Sequence, residues 1–208
     1  PPIHVELRKI FRQDDQDFID LLNRLRYNEQ NSADLEILNG YYKSDFDQNE
    51  EAGYIYLTTH NVRADKRNNQ KLDELDSELN SYSAHIEGEF PENMFPMPEE
   101  LHLKEGAQVM FIKNDPSGEG QFFNGKIGLI SSLSEEEIWV RFEDKSEVLV
   151  LPYQWENKRY TIDKESNEIK ENFLGSFEQY PIKLAWAVTI HKSQGLTFEK
   201  AIIDSEQA

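Results

Sequence analysis

The chain has 208 residues, 38% of them hydrophobic and 12% aromatic, enough apolar material to bury one sizeable core or two modest ones. Its 40 acidic against 22 basic residues give a formal net charge of -18, which excludes a protein that grips nucleic acid by bulk charge, so any phosphate site must be local. Cysteine is absent, which excludes disulfides and thiolate metal sites, no run approaches the roughly 20 apolar residues of a membrane span, and Pro1-Pro-Ile-His-Val-Glu6 lacks the basic and apolar regions of a signal peptide. The expectation is a soluble cytoplasmic (intracellular) protein with no membrane partner.

In chain order, Val5, Leu7, Ile10 and Phe11 predict a short strand. Asp14 or Asp15 then caps a helix that carries Phe18, Ile19, Leu22 and Leu25 on one side. After a polar connection, Tyr54-Ile-Tyr-Leu-Thr-Thr59 reads as a buried strand of aromatic and β-branched residues. Asn61 follows as the cap of a helix with Leu72, Leu75 and Leu79 on its inner face. Strand then helix, twice, predicts a parallel α/β sheet.

The character changes at Phe90-Pro-Glu-Asn-Met-Phe-Pro-Met-Pro98, where three prolines remove backbone donors and rule out a helix or central strand. Beyond it come short strand-like runs, Gln108 to Ile112, Ile127 to Leu133, Ile138 to Phe142 and Val148 to Leu151, with Asn114 to Gly120 as a loop and Asn124-Gly125 as a tight turn. These predict a small antiparallel barrel. From Ile182 an α/β pattern resumes and ends in a strand, Ala201-Ile-Ile-Asp204. The predicted fold class is therefore α/β, a parallel sheet with helices interrupted by a small antiparallel β-barrel insertion. Its segments are residues 1–99, 100–180 for the barrel, and 181–208 for the return.

Between apolar runs, Thr189-Ile-His-Lys-Ser-Gln-Gly195 packs two hydroxyls, an imidazole, an ammonium, an amide and a glycine into seven residues. Hydroxyls and backbone N–H groups position a phosphodiester, Lys192 supplies charge, and Gly195 permits close backbone approach. An ordinary polar turn would have the same composition. The five histidines, His4, His60, His85, His102 and His191, are scattered without metal-ligand spacing, so no metal site is expected. His85 and His102 read as solvent-facing or locally hydrogen-bonded, and Trp139 and Trp155 as barrel core rather than stacking platforms.

Leu184-Ala-Trp-Ala-Val-Thr-Ile-His-Lys-Ser-Gln-Gly-Leu-Thr-Phe198 resembles the fifth helicase motif of superfamily-one enzymes of the Pif and RecD type. Leu7-Arg-Lys-Ile-Phe-Arg-Gln13 resembles their fourth motif. Tyr56-Leu-Thr-Thr-His-Asn61 with the following helix resembles the next element of their second RecA-like domain. Glu105-Gly-Ala-Gln-Val-Met-Phe-Ile-Lys-Asn114 with Asn124-Gly-Lys-Ile-Gly128 is similar to the start of the Src-homology-three-like barrel they insert there. The resemblance implies a RecA-like sheet and places Arg12 at the ATP phosphates as a catalytic residue. It implies Gln194, Gly195 and Thr197 towards the nucleotide, with Thr197 where related helicases often carry glutamate. Thr59, His60, Asn61, Thr189, His191, Lys192 and Ser193 would meet single-stranded DNA, although on the residues alone Asn61 is equally a helix cap.

No Gly-x-x-x-x-Gly-Lys-Ser/Thr phosphate loop occurs in these residues. The resemblance thus implies a fragment of an ATP-dependent DNA helicase that translocates 5′ to 3′ on single-stranded DNA. ATP and Mg2+ would serve the full-length enzyme, and the fragment alone would bind neither and lack activity. Its partners would be single-stranded DNA and the N-terminal RecA-like domain of the same protein. The alternative is a non-enzymatic module that binds single-stranded nucleic acid or protein.

Overall fold

The computed structural model describes residues 5, 15–43, 53–162, 168–196, 198 and 200–203. Its chain divides into two compact units, 1–51 and 52–208. The expected first strand lies outside the described residues apart from Val5, and so do Arg12, Thr197 and Asp204.

The first unit contains α1 (Gln16–Arg26) and α2 (Ser32–Gly40). Asp15 caps α1 by accepting from the Phe18 N–H at 3.1 Å. The buried residue of α1 is Leu21, not Leu22, which is 45% exposed, so the apolar stripe is rotated from the one expected. The connection read as merely polar holds α2, because Asn31 and Asp34 form a reciprocal capping box. The same Asp34 carboxylate accepts from Arg24 at 2.9 and 2.6 Å, a two-point ion pair that fastens one helix to the other.

In the second unit, β1 (Ile55–Thr58) leads into α3 (Asn61–Asp73). Two further strands of the unit, β12 (Ala187–Thr189) and β13 (Ala201–Ile203), flank β1 in parallel, in the order β12-β1-β13. Residues more than a hundred positions apart thus share one sheet. Between them the chain builds β2 (Asn80–Ser83), β3 (His85–Gly88), a 3-10 turn at Glu92–Met94 in the proline-rich stretch, and β4 (Glu100–Leu103). It continues through β5 (Gln108–Phe111), β6 (Ile127–Leu133), β7 (Ile138–Arg141), β8 (Glu147–Val150), β9 (Tyr153–Ile162), β10 (Ile169–Gln179) and β11 (Ile182–Leu184). A five-stranded antiparallel sheet runs β11-β5-β6-β7-β8, a three-stranded one β3-β10-β9, and β2 pairs with β4.

Several boundaries differ from the sequence expectation. Residue 100 falls at the start of β4, which pairs with β2, and Tyr82 of β2 joins the apolar cluster of the antiparallel sheets. Ile182–Leu184 belongs to the antiparallel sheet, paired with β5, and the parallel sheet resumes only at Ala187. The helix after β1 stops at Asp73, leaving Leu79 half exposed. The β9–β10 hairpin goes unread in the sequence because its outer half, around Tyr160 and Ile162, is exposed on both faces and shows no alternation.

One apolar cluster, including Phe111, Phe177, Leu103, Ile130 and Ile138, fills the insertion and takes Leu72 of α3. A second joins Ile55 and Val188 of the parallel sheet to Met110 and Ala185. Strand β5 is buried on both faces, Val109 and Phe111 towards the first cluster and Met110 towards the second, which is why it reads as a continuous apolar run. Where β3 crosses β10, Gly88 has φ +65° and a Cβ there would lie 2.4 Å from the Leu174 carbonyl oxygen, so only glycine fits.

Candidate functional site

Strands β1 and β12 are in register, with Thr58 opposite Thr189. Parallel neighbours end on the same side, so the turns after them lie together at the carboxyl edge of the sheet, where open α/β sheets bind ligands. The first turn carries Thr59 and His60 into α3. The second carries Thr189 into α4 (Ile190–Ser193), which bears His191, Lys192 and Ser193. One sheet edge therefore gathers the seven residues expected to meet DNA.

Within the first turn the Thr59 Oγ1 and His60 Nδ1 lie 2.7 Å apart. His60, not Asn61, flanks the helix, and it makes no side-chain cap. Asn61 is the exposed first helical residue, so its expected capping role is corrected. With no acidic residue in its first turn, α3 presents the positive end of its dipole at its start.

In the second turn Thr189 is buried. Its Oγ1 accepts from the Lys192 N–H at 3.5 Å, and the Ser193 hydroxyl donates to the Ile190 carbonyl at 2.8 Å. Thr189 thus shapes the turn, while His191 and Lys192 are exposed on it. Gln194 is exposed, and Gly195 adopts φ +85° with open space where a Cβ would stand. Leu196 and Phe198 return to the second apolar cluster and anchor the far side of the loop.

Two residues that support this edge, and a half-buried lysine near it, escape a reading of the sequence. The Asn68 amide donates to the Ala187 carbonyl at 2.9 Å and accepts from the Ala187 N–H at 2.8 Å. It binds β12 along the side that faces away from β1. Its signal was a polar residue in the buried stripe Ala64, Asn68, Leu72. Gln108 donates to the carbonyls of Tyr54 and Ala185 at 2.8 and 2.9 Å and accepts from the Gly53 N–H at 3.2 Å, joining β5 to the approaches of β1 and β12. Lys183 is half-buried, and its ammonium is held below the usual lysine range by that burial and then by repulsion from Lys192, with Asp65 opposing. Among the described residues the buried Thr58 hydroxyl has no hydrogen-bond partner.

Elsewhere, a cavity of about 320 Å³ is lined by Phe123, Lys126, Arg141, Phe142, Asp144 and Phe198 among others and includes none of the expected contact residues. His85 and His102 are exposed and bonded locally, to Glu87 and Ser81. Trp155 packs 6.0 Å from the Phe177 ring, as core.

No protein-family model matches the chain. The ATP-dependent DNA helicase Pif1 of Bdellovibrio bacteriovorus is 32% identical over 206 residues, which cover 94% of this chain and 43% of that protein. The structure of unliganded Pif1 from Bacteroides sp superposes with a TM-score of 0.86 at 36% identity, over 96% of this chain and 46% of that one. The Bacteroides helicase in complex with ADP-AlF3 and ssDNA superposes with a TM-score of 0.68 at 37% identity, over 98% and 46%. The chain spans less than half the length of the proteins it matches. The parallel sheet is thus of the RecA-like kind, with the antiparallel insertion in place. On sequence and fold together, the chain is a homologue of Pif1 helicases, aligned with less than half the length of each of these three.

Proposed function

We propose that the chain serves as the second RecA-like motor domain, with its Src-homology-three-like barrel, of an ATP-dependent helicase that moves 5′ to 3′ along single-stranded DNA inside the cell. The observation that carries this reading is the register of β1 against β12, which sets the Thr59–Asn61 turn beside the Thr189–Ser193 turn at one sheet edge. Lys192 supplies charge there, and the hydroxyls and imidazoles supply hydrogen bonds. Such a set suits sugar and phosphate rather than base edges, so binding is independent of sequence. The match to a helicase in complex with ADP-AlF3 and ssDNA supports the same assignment.

At the nucleotide side, Gln194 is exposed and Gly195 leaves its backbone open, so both fit a ligand at close approach. These two and Thr197 would contact ATP, with Arg12 at its phosphates as a permanently charged fork. ATP supplies the free energy that changes which domain grips the strand. Among the described residues no group of acidic or histidine side chains is placed to hold a metal. In this reading Mg2+ and the phosphate loop sit on the first RecA-like domain, and these 208 residues alone turn over no ATP.

The test is ATP hydrolysis with and without single-stranded DNA, by the full-length protein and by the 208-residue chain. Stimulated turnover by the former alone supports the proposal. Turnover by the isolated chain overturns the division of labour, and DNA binding without turnover by the full-length protein favours the non-enzymatic module.

A further inference from the structure

A cavity of about 320 Å³ lies where the antiparallel insertion meets the parallel sheet. Gly53 borders it just before β1 and Phe198 just before β13, so it sits at the amino end of the parallel strands, the edge opposite to the turns after β1 and β12. The insertion supplies Phe123 from the β5–β6 loop, Ile127 to Leu129 from β6, and Phe142 from the β7–β8 turn. A Cβ on Gly128 would stand 3.1 Å from the Phe142 Cδ1, so glycine lets that ring lie close to the strand. Phe123 and Leu129 are 46% and 39% exposed and form an apolar lip.

The charges around the cavity are unequally occupied. Glu143 pairs with Lys200 at 2.9 Å, and Asp144 accepts from the Ser146 N–H and hydroxyl. The Lys126 ammonium lies 3.6 Å from the Phe142 ring centroid and donates to the Gln121 carbonyl at 2.8 Å. Arg141 lines the same cavity, is exposed, and makes no side-chain ion pair or hydrogen bond among the described residues. In a chain of net charge -18 the open charge at this mouth is therefore positive. A ring-walled slot beside an open guanidinium complements a flat aromatic body that carries an anionic group. At the small end of the roughly 300–1,000 Å³ of ligand pockets, it has room for one such unit and not for a stacked run.

We propose that this cavity takes one nucleotide unit, its base against Phe123 and Phe198 and its phosphate at Arg141, as a binding site separate from the strand-end turns. A base seated there touches the return segment and the insertion at once, and so ties the two together. The unit belongs to single-stranded DNA or to a free nucleotide, which present the same ring and phosphate. The site does not rest on the assignment of the β1–β12 edge to DNA.

The experiment uses the full-length protein, with saturating ADP to fill the proposed ATP site, and two probes: a single strand carrying iododeoxyuridine, and free iododeoxyuridine monophosphate. Ultraviolet cross-linking with peptide mass mapping locates the base, and its concentration dependence gives the affinity. Cross-links to the peptides of Phe123 or Phe198 are expected, and the probe that yields them identifies the source. Phe123→Ala should weaken binding there about fivefold or more, the scale of one base stacked on an aromatic ring. Arg141→Met should weaken the monophosphate about two- to fivefold, as for an exposed ion pair, and leave the uncharged nucleoside unchanged. Leu129→Trp, at the lip, should fill the slot and block the probe. All three side chains are exposed, so thermal melts of the ligand-free variants should match the wild type. Cross-links at the cavity that survive all three substitutions would overturn the site. Cross-links confined to the 189–193 turn would overturn it too, while leaving the DNA assignment of that edge standing, and none at either place would sink both.

Discussion

Replacing Asn68 tests whether the sheet edge proposed to meet DNA depends on a single buried amide. Among the described residues strand β12 stands at the end of its sheet, and the Ala187 N–H and C=O on its outer side are both satisfied by the Asn68 side chain, at 2.8 and 2.9 Å. The amide thereby fills the hydrogen-bonding positions that a neighbouring strand would take. Asn68→Leu keeps an apolar contact but leaves one donor and one acceptor buried without partners, at about 1–3 kcal/mol each, so local opening should become about 2–6 kcal/mol easier. Asn68→Asp keeps the bond from the Ala187 N–H but cannot donate to the Ala187 carbonyl, and it sets a buried carboxylate against that oxygen. Hydrogen exchange reads this locally and needs no two-state unfolding of a long protein. In Asn68→Leu a peptide spanning 185–193 should exchange faster by about one and a half to four orders of magnitude, since each 1.4 kcal/mol is tenfold. DNA affinity should fall with it, because Thr189 lies two residues beyond Ala187. Unchanged protection in Asn68→Leu would refute the idea that this amide holds the strand.

Lys192→Ala in the full-length protein should weaken binding to all single strands alike and flatten the salt dependence by about one phosphate contact, whereas Arg12→Ala should leave DNA binding intact and reduce ATP turnover. Anisotropy and a coupled ATPase assay separate the two, and exchange of the two phenotypes would show the roles to be misassigned. Thr58→Val removes a buried hydroxyl without a partner and should raise stability by about 1 kcal/mol in a thermal melt of DNA-free protein. In the first unit, Arg24 and then the Asn31 N–H hold the Asp34 carboxyl below the usual carboxylate range. Its folded pKa is depressed, so the stabilisation is present above the unfolded value and is lost as pH falls through the folded one. Amides of α1 and α2 should lose protection on such acidification, and Arg24→Met should reduce that pH dependence, leaving the part that the Asn31 N–H contributes.

The sequence by itself determined the pieces that rest on local periodicity and chemistry. Asp15 caps its helix because a carboxylate before an apolar repeat meets orphan N–H groups wherever it occurs. β6 has the limits the alternation and the Asn124-Gly125 turn predict, and β7 and β8 fall within a residue of theirs. The polar segment before Gly195 stood out because few loops carry so many donors between two apolar runs. Tertiary structure alone decided the rest. Nothing near Asn68 in the chain says that its amide meets Ala187, 119 positions away. Ile182–Leu184 is apolar enough for either sheet, and only pairing with β5 puts it in the antiparallel one. Lys183 looks like any surface lysine until that pairing fixes which way it points. Thr189, read as a DNA contact, is buried as the cap of α4 because β12 packs under α3. Hydrophobic pattern specifies which faces must leave water, but which partner covers each face is a competition among long-range contacts that no local window contains.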